Sequence, residues 1–145
     1  MSAKLKTLNI FSSYSAIETE KYARKFAGLL KPGDLILLEG EIGSGKTTFL
    51  NAVFKELGSN ENVISSSFSL VYEYKGRDYK LVHFDLYRTG GRFNYDEFIE
   101  YFGEENIIAI EWPYNVKKYL KFFPYLITIK LLKGDAREIK ILKYG

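Results

Sequence analysis

The chain reads as an α/β protein whose mixed parallel and antiparallel sheet is flanked by helices. Three observations predict this. A short apolar run over 34–39 ends at Gly40, passes through a glycine-rich turn and continues as an amphipathic stretch over 47–57 that closes on Gly58, the order strand, loop, helix. Two further apolar runs, Leu81-Val-His-Phe84 and Ile107-Ile-Ala-Ile110, have the length of buried strands. The turn segments Lys75-Gly-Arg-Asp78 and Lys133-Gly-Asp-Ala136 each join two strand-like stretches, so hairpins accompany the parallel strands.

In chain order, residues 5–11 form the first expected strand. Ser15-Ala-Ile-Glu18 is a capping box that opens a helix running to about residue 30, with Ala16, Ala23, Phe26, Ala27 and Leu30 on one face. Lys31-Pro-Gly-Asp34 turns the chain into the strand before the glycine-rich loop. Residues 59–62 are a polar connection. The segment 63–74 starts serine-rich and becomes a strand, whose antiparallel return partner is 79–84. Thr89-Gly-Gly-Arg92 breaks the chain before a short acidic helix over 95–101, and 107–110 is a buried strand. The strands 125–132 and 137–142 form the closing hairpin.

A length of 145 residues with 46% hydrophobic and 17% aromatic content suits one core, a single domain over 1–145. No apolar stretch is long enough to span a bilayer, and the expectation is a soluble, unexported, cytoplasmic protein. With no cysteine and the single histidine His83, thiol catalysis, disulfides and thiolate or multi-histidine zinc sites are excluded. The net charge of +3 is segregated. Residues 93–111 carry six acids and no base, whereas from Asn115 onward there are eight bases against Asp135 and Glu138. Such a basic end suits a nucleic acid or an acidic partner, or else is the solvated side of two strands, since its lysines alternate with apolar residues.

The loop Gly40-Glu41-Ile42-Gly43-Ser44-Gly45-Lys46-Thr47-Thr48 satisfies the phosphate-binding pattern G-x-x-x-x-G-K-[S/T]. Glycines let successive N–H groups point into one concave nest at the positive end of the following helix, where phosphate oxygens settle. Lys46 reaches the β- and γ-phosphates as a point charge, and the Thr47 hydroxyl is placed to ligate Mg²⁺. The expected ligands are therefore ATP and Mg²⁺, on Glu41, Ile42, Gly43, Ser44, Gly45, Lys46, Thr47 and Thr48, at the carboxyl ends of the parallel strands of a P-loop NTPase domain.

Hydrolysis also needs a carboxylate that anchors Mg²⁺ or orients water, delivered by a buried strand beside the loop. Asp85 follows 81–84 and Glu111 follows 107–110, so both are candidates, with strand-end capping as the alternative. His83 is either a proton carrier or a packed, hydrogen-bonded core group. Arg88 reaches a γ-phosphate or pairs with an acid. Ser65-Ser-Ser-Phe-Ser69 is either a hydroxyl switch that senses the γ-phosphate or a serine-rich turn.

The order of phosphate loop, Ser65-Ser-Ser-Phe-Ser-Leu-Val-Tyr-Glu-Tyr74, His83-Phe-Asp-Leu-Tyr-Arg88 and Ile110-Glu-Trp-Pro113 resembles the bacterial TsaE (YjeE) family, small ATPases required for the threonylcarbamoyladenosine modification of tRNA. The resemblance spans nearly the whole chain. It implies an ATPase that does not itself make the threonylcarbamoyl group but binds TsaD, the transferase, and TsaB, its scaffold, and resets that complex by ATP turnover. It also implies Lys46 and Thr47 on phosphates and Mg²⁺, Thr48 assisting, Glu111 as the Mg²⁺-associated acid, Asp85 as the other site carboxylate, and Ser67 in place of a switch threonine. The chain departs from the family where Ser66 replaces a proline, where Tyr114 replaces an acid, and at Gly90 and Gly91.

Other classes share the loop. A small-molecule kinase would need an acceptor pocket and an arginine-bearing lid, for which five arginines leave little material. A GTPase is disfavoured because no Asn-Lys-x-Asp motif occurs. A nucleotide-dependent binding module, with hydrolysis incidental, stays open. Contact with tRNA is expected through the partner complex, and direct contact through Lys117, Lys118 and Lys121 stays open as well.

Overall fold

Four parallel strands form the middle of a seven-stranded sheet in the computed structural model. The structure describes residues 4–41, 43–63, 71–86, 95–103, 105–113 and 116–145; Ile42, the serine segment with Ser67, Arg88, Gly90, Gly91 and Tyr114 lie outside them. In chain order the elements are β1 (Leu5–Ser13), α1 (Ala16–Ala27), β2 (Leu35–Gly40), α2 (Lys46–Glu56), β3 (Val71–Lys75), β4 (Lys80–Asp85), α3 (Tyr95–Tyr101), β5 (Asn106–Glu111), a 3-10 helix Val116–Phe122, β6 (Tyr125–Leu131) and β7 (Arg137–Tyr144). The sheet order is β1-β7-β6-β2-β5-β4-β3, with β6, β2, β5 and β4 parallel and β1, β7 and β3 added antiparallel. The mixed α/β sheet expected from the hairpins is what forms.

Local chemistry accounts for each boundary. Ser15 sits in extended backbone and its Oγ accepts the Glu18 N–H at 3.1 Å, satisfying a helix-end donor that would otherwise be orphaned. Helix α1 ends at Ala27, before the expected residue 30, because Gly28, Leu29 and Leu30 donate to carbonyls three residues back and tighten the last turn. Ala23, Phe26, Ala27 and Leu30 are buried as expected, but Ala16 is exposed. It lies in the first turn, bordering a recess beside the glycine-rich loop, and Thr19 turns inward instead, sharing a 2.7 Å hydrogen bond with Ser13 Oγ. Strand β2 is buried on both faces from Leu35 to Leu38 because β5 and β6 flank it and helices cover it, which is why it reads as a continuous apolar run. Helix α2 closes in a Schellman motif, Ser59 N–H to Phe54 O and Gly58 N–H to Lys55 O, both 3.0 Å.

Alternation along the strands divides the core into two layers. Ile36, Leu38, Leu81, Ile107, Ala109, Ile127 and Ile129 face α1 and α2, packing on Phe26, Phe49 and Phe54. Leu35, Leu37, Val82, Phe84, Ile108 and Ile110 face α3 and the 3-10 helix. There Phe98 meets Tyr119 and Phe122 edge-on at 5.2 and 5.5 Å between centroids, and Phe84 at 6.2 Å. Among the described residues no helix is long and apolar enough to cross a membrane. Phe98→Ala leaves a cavity under three rings and is expected to lower the unfolding free energy by about 3–5 kcal/mol, read as a lower urea midpoint.

Candidate functional site

Strand β2 ends at Gly40, where only glycine fits: an added Cβ would lie 2.6 Å from Ser44 Oγ and 2.7 Å from the Ile129 carbonyl. The loop then turns through Gly43 and Gly45, at φ 81° and 107°, which favour glycine. Gly45 is the N-cap of α2, has no side chain to cap the helix, and is followed by no acid in the first turn. The first-turn N–H groups, which have no intrahelical acceptors, and the positive end of the helix dipole therefore favour an anion. Ser44 is fully buried in the loop, and its Oγ has no hydrogen-bond partner among the described residues. A loop with no room for a Cβ at Gly40 and with a buried hydroxyl that has no hydrogen-bond partner among the described residues fits a phosphate group.

Lys46 is 7% exposed. Its ammonium donates to the carbonyls of Gly40 and of Glu41, the latter at 3.2 Å, and lies 4.1 Å from the centroid of the Trp112 ring. Burial pushes its pKa below the ordinary lysine value, against the opposing pull of Glu111 and then of Asp85. Trp112 holds a left-handed backbone, φ 61°, and its N–H donates to Leu38 O at 3.2 Å. Its role under Lys46 has no sequence signal beyond its place after Glu111.

Asp85 and Glu111 end neighbouring strands and are direct partners in the β4–β5 register. With a period of two, Leu81, His83 and Asp85 share one face, as do Ile107, Ala109 and Glu111, and this is the face that carries α2. His83 Nε2–H donates to Glu111 Oε2 at 2.9 Å, with both side chains buried. Of the two readings of His83, its position matches the packed, hydrogen-bonded one, and its partner is a candidate site carboxylate. His83 Nδ1 is buried and has no hydrogen-bond partner among the described residues. Among the described residues no group of three or more His, Asp or Glu side chains is placed to hold a metal ion alone. Thr47, partly exposed at the head of α2, and Glu111 are protein oxygens suited to a hard cation that phosphate oxygens complete.

A residue counted in the sequence only as part of the basic end also belongs here. Arg137, the first residue of β7, donates from Nε to Ser44 O at 2.8 Å and from Nη2 to Gly43 O at 3.3 Å. It also donates from Nη1 to Asp135 O at 2.6 Å. The last hairpin thus grips the outer side of the glycine-rich loop. The structure brings Lys46, in the run Gly43, Ser44, Gly45, Lys46, Thr47 and Thr48, into the electrostatic neighbourhood of Asp85 and Glu111, and leaves Glu41 exposed at the loop entrance. Lys117, Lys118 and Lys121 are exposed on the 3-10 helix, away from the loop's lining, while Lys130 and Lys133 are exposed on the hairpin between buried Ile129 and Ile139. On the strands Lys130 is exposed, whereas Lys140 and Lys143 are half-buried, Lys143 donating to the Phe123 carbonyl.

Residues 13–139 match the family model described as threonylcarbamoyl adenosine biosynthesis protein TsaE. The chain belongs to the TsaE family. The TsaE protein of Rickettsia typhi, named tRNA threonylcarbamoyladenosine biosynthesis protein TsaE, is 36% identical over 131 residues, covering 87% of this chain and 89% of the relative. The TsaE protein of Aquifex aeolicus is 38% identical over 128 residues, covering 87% and 90%. The crystal structure of Bacillus subtilis YdiB superposes with a TM-score of 0.75 at 28% identity, covering all of this chain and 89% of that one. The sheet, the helices and the loop described above are therefore those of a TsaE chain. Because the Arg137 fork clamps two loop carbonyls, Arg137→Ala is expected to speed amide hydrogen exchange across 43–46, and Arg137→Lys not to restore the protection, since an ammonium lacks the fork.

Proposed function

We propose that this TsaE chain is an ATP hydrolase that acts in the threonylcarbamoyladenosine modification of tRNA by binding and resetting a TsaB–TsaD complex. The observation that carries the hydrolytic part is the convergence of Lys46, Glu111 and Asp85 in one electrostatic neighbourhood at the end of the glycine-rich loop. The tRNA-modification part rests on family membership and the names of the relatives. A tRNA-directed role places the protein in the cytoplasm, with tRNA reached through the partner complex.

The chain's own groups divide the work. The α2 N-terminus and loop N–H groups receive phosphate oxygens, and Lys46 exchanges its bonds to the Gly40 and Glu41 carbonyls for the β- and γ-phosphates, recovering charge stabilisation that burial withholds. Thr47 and Glu111 are the residues that would hold Mg²⁺, and the ion would supply positive charge at the phosphate oxygens. His83 fixes the Glu111 carboxylate through Oε2, and Asp85 accepts from the attacking water. Arg137 directs Nε, Nη1 and Nη2 to peptide carbonyls, and Arg24 and Arg77 line recesses that no residue of the glycine-rich loop borders, so among the described residues no arginine is aimed at the γ-phosphate. Turnover by the chain alone is therefore slow, since a supplied cation is worth on the order of 10³-fold or more.

Hydrolysis of ATP and GTP, measured with and without purified TsaB and TsaD, tests this reading. Weak ATP turnover that rises on adding the partners and vanishes on chelation of Mg²⁺ or in Lys46→Ala is expected; a Lys46→Ala protein that still sustains repeated rounds of tRNA modification would sink it. His83→Gln, which loosens the carboxylate held for the metal, is expected to raise the Mg²⁺ concentration needed for half-maximal hydrolysis by roughly 10–100-fold.

A further inference from the structure

Three buried side-chain polar atoms have no hydrogen-bond partner among the described residues, and two of them belong to neighbouring residues. They are Tyr72 Oη and His83 Nδ1. Tyr72 of β3 and His83 of β4 are direct partners in the antiparallel register, with ring centroids 6.1 Å apart and both side chains on the face that carries α2. Burying a polar group unpaired is costly, and a phenylalanine at 72 would fill the same space without that cost. Packing alone therefore accounts for the ring of Tyr72 and not for its hydroxyl.

The other end of the imidazole sets the direction of the link. Ala109, directly opposite His83 on β5, carries only a methyl, which leaves the ring room to reach the diagonal Glu111. A carboxylate only accepts, so the proton of the neutral imidazole lies on Nε2 and Nδ1 is left as an acceptor. The Tyr72 hydroxyl is a donor of the matching kind one strand away.

We infer that Tyr72 is a positioning residue: its hydroxyl serves His83 Nδ1 through one ordered water, and so fixes the tautomer and ring orientation that hold Glu111 for a divalent cation. No direct bond joins the two atoms, and a buried water makes about three bonds to groups that lack protein partners. The inference rests on the reading of Glu111 as a metal-holding carboxylate and adds the group that steadies it from behind. Tyr72, His83 and Glu111 form a line across β3, β4 and β5 on one sheet face, so the strand pairing itself holds the series in place. A carboxylate held by a histidine that is itself held turns less freely, and partners of this kind tune metal affinity.

His83 is the only histidine of the chain, so a single imidazole supplies the side-chain ¹⁵N signals that report its tautomer. These spectra, recorded on the untagged parent chain and on Tyr72→Phe together with the Mg²⁺ dependence of ATP hydrolysis, test the assignment. Tyr72→Phe keeps the ring and removes one oxygen. The parent is expected to show a neutral imidazole protonated at Nε2, with Nδ1 shielded by the hydrogen bond it accepts. In Tyr72→Phe the Nδ1 resonance is expected to move downfield, and the Mg²⁺ concentration for half-maximal hydrolysis to rise by about tenfold, the lower end for losing a group that holds a metal ligand. An unchanged Nδ1 resonance overturns the inference whatever the kinetics, since a tyrosine that only packs does not bond that nitrogen. A parent imidazole protonated at Nδ1 overturns it as well, because that nitrogen then accepts nothing. A resonance that moves while the Mg²⁺ requirement stays fixed overturns the positioning role. A parent chain with no ATP turnover fails the hydrolase reading instead, and the resonance alone then decides whether Tyr72 serves His83.

Discussion

The parallel register of three strands governs the site. Leu38 of β2 pairs with Glu111 of β5, and Glu111 pairs with Asp85 of β4. The last residues of two apolar strands are thus set beside the strand that releases the glycine-rich loop, and the pleat turns both carboxylates toward α2. Because side chains alternate with a period of two, a slip of one residue would send Asp85 and Glu111 to the opposite face, among the rings of Phe98 and Tyr119, where burying a carboxylate is costly. Hydrophobic burial on both sheet faces specifies the register, so the apolar core and the placement of the polar site are one constraint.

Around that register the site concentrates charge in a place that water barely reaches. Lys46 is withdrawn from solvent and held by backbone carbonyls, an indole face and the pull of two carboxylates. Each contact offsets part of the cost of burying an ammonium, and each is a contact that a triphosphate is suited to replace. Glu111 is tethered in turn by His83, which limits the directions its carboxylate faces. Electrostatic groups fixed before a ligand arrives need little reorganisation when charge shifts on it.

The closing hairpin does more than extend the sheet. By continuing β6 into β7, and β7 into β1, it carries Arg137 to the outer side of the loop and creates a recess where edge strands, helix α1 and loop meet. On the far face, the aromatic packing of α3 and the 3-10 helix buries the underside of the same parallel strands. Both faces of the sheet are thus packed, and the face under α2 also carries the candidate site.

Much of this was legible in the sequence where the signal is local. The strand, loop and helix around Gly40 to Thr48, the capping box at Ser15, both hairpins, and the strand ends that deliver Asp85 and Glu111 are each written within a few consecutive residues, and each formed at its expected place, with β7 running two residues past its expected end. Periodicity was a weaker guide at the start of α1, where Ala16 faces the recess and Thr19 faces inward, because burial there depends on what lies opposite. The sequence by itself thus determined the α/β class, the glycine-rich loop between strand and helix, and the candidate carboxylates. Only the tertiary structure decided the strand order, the bond from His83 to Glu111 across 28 residues, the place of Trp112 under Lys46, and the grip of Arg137 on a loop 93 residues before it. These are pairings between distant segments, and the sheet order that makes them neighbours leaves no mark on the residues around either partner.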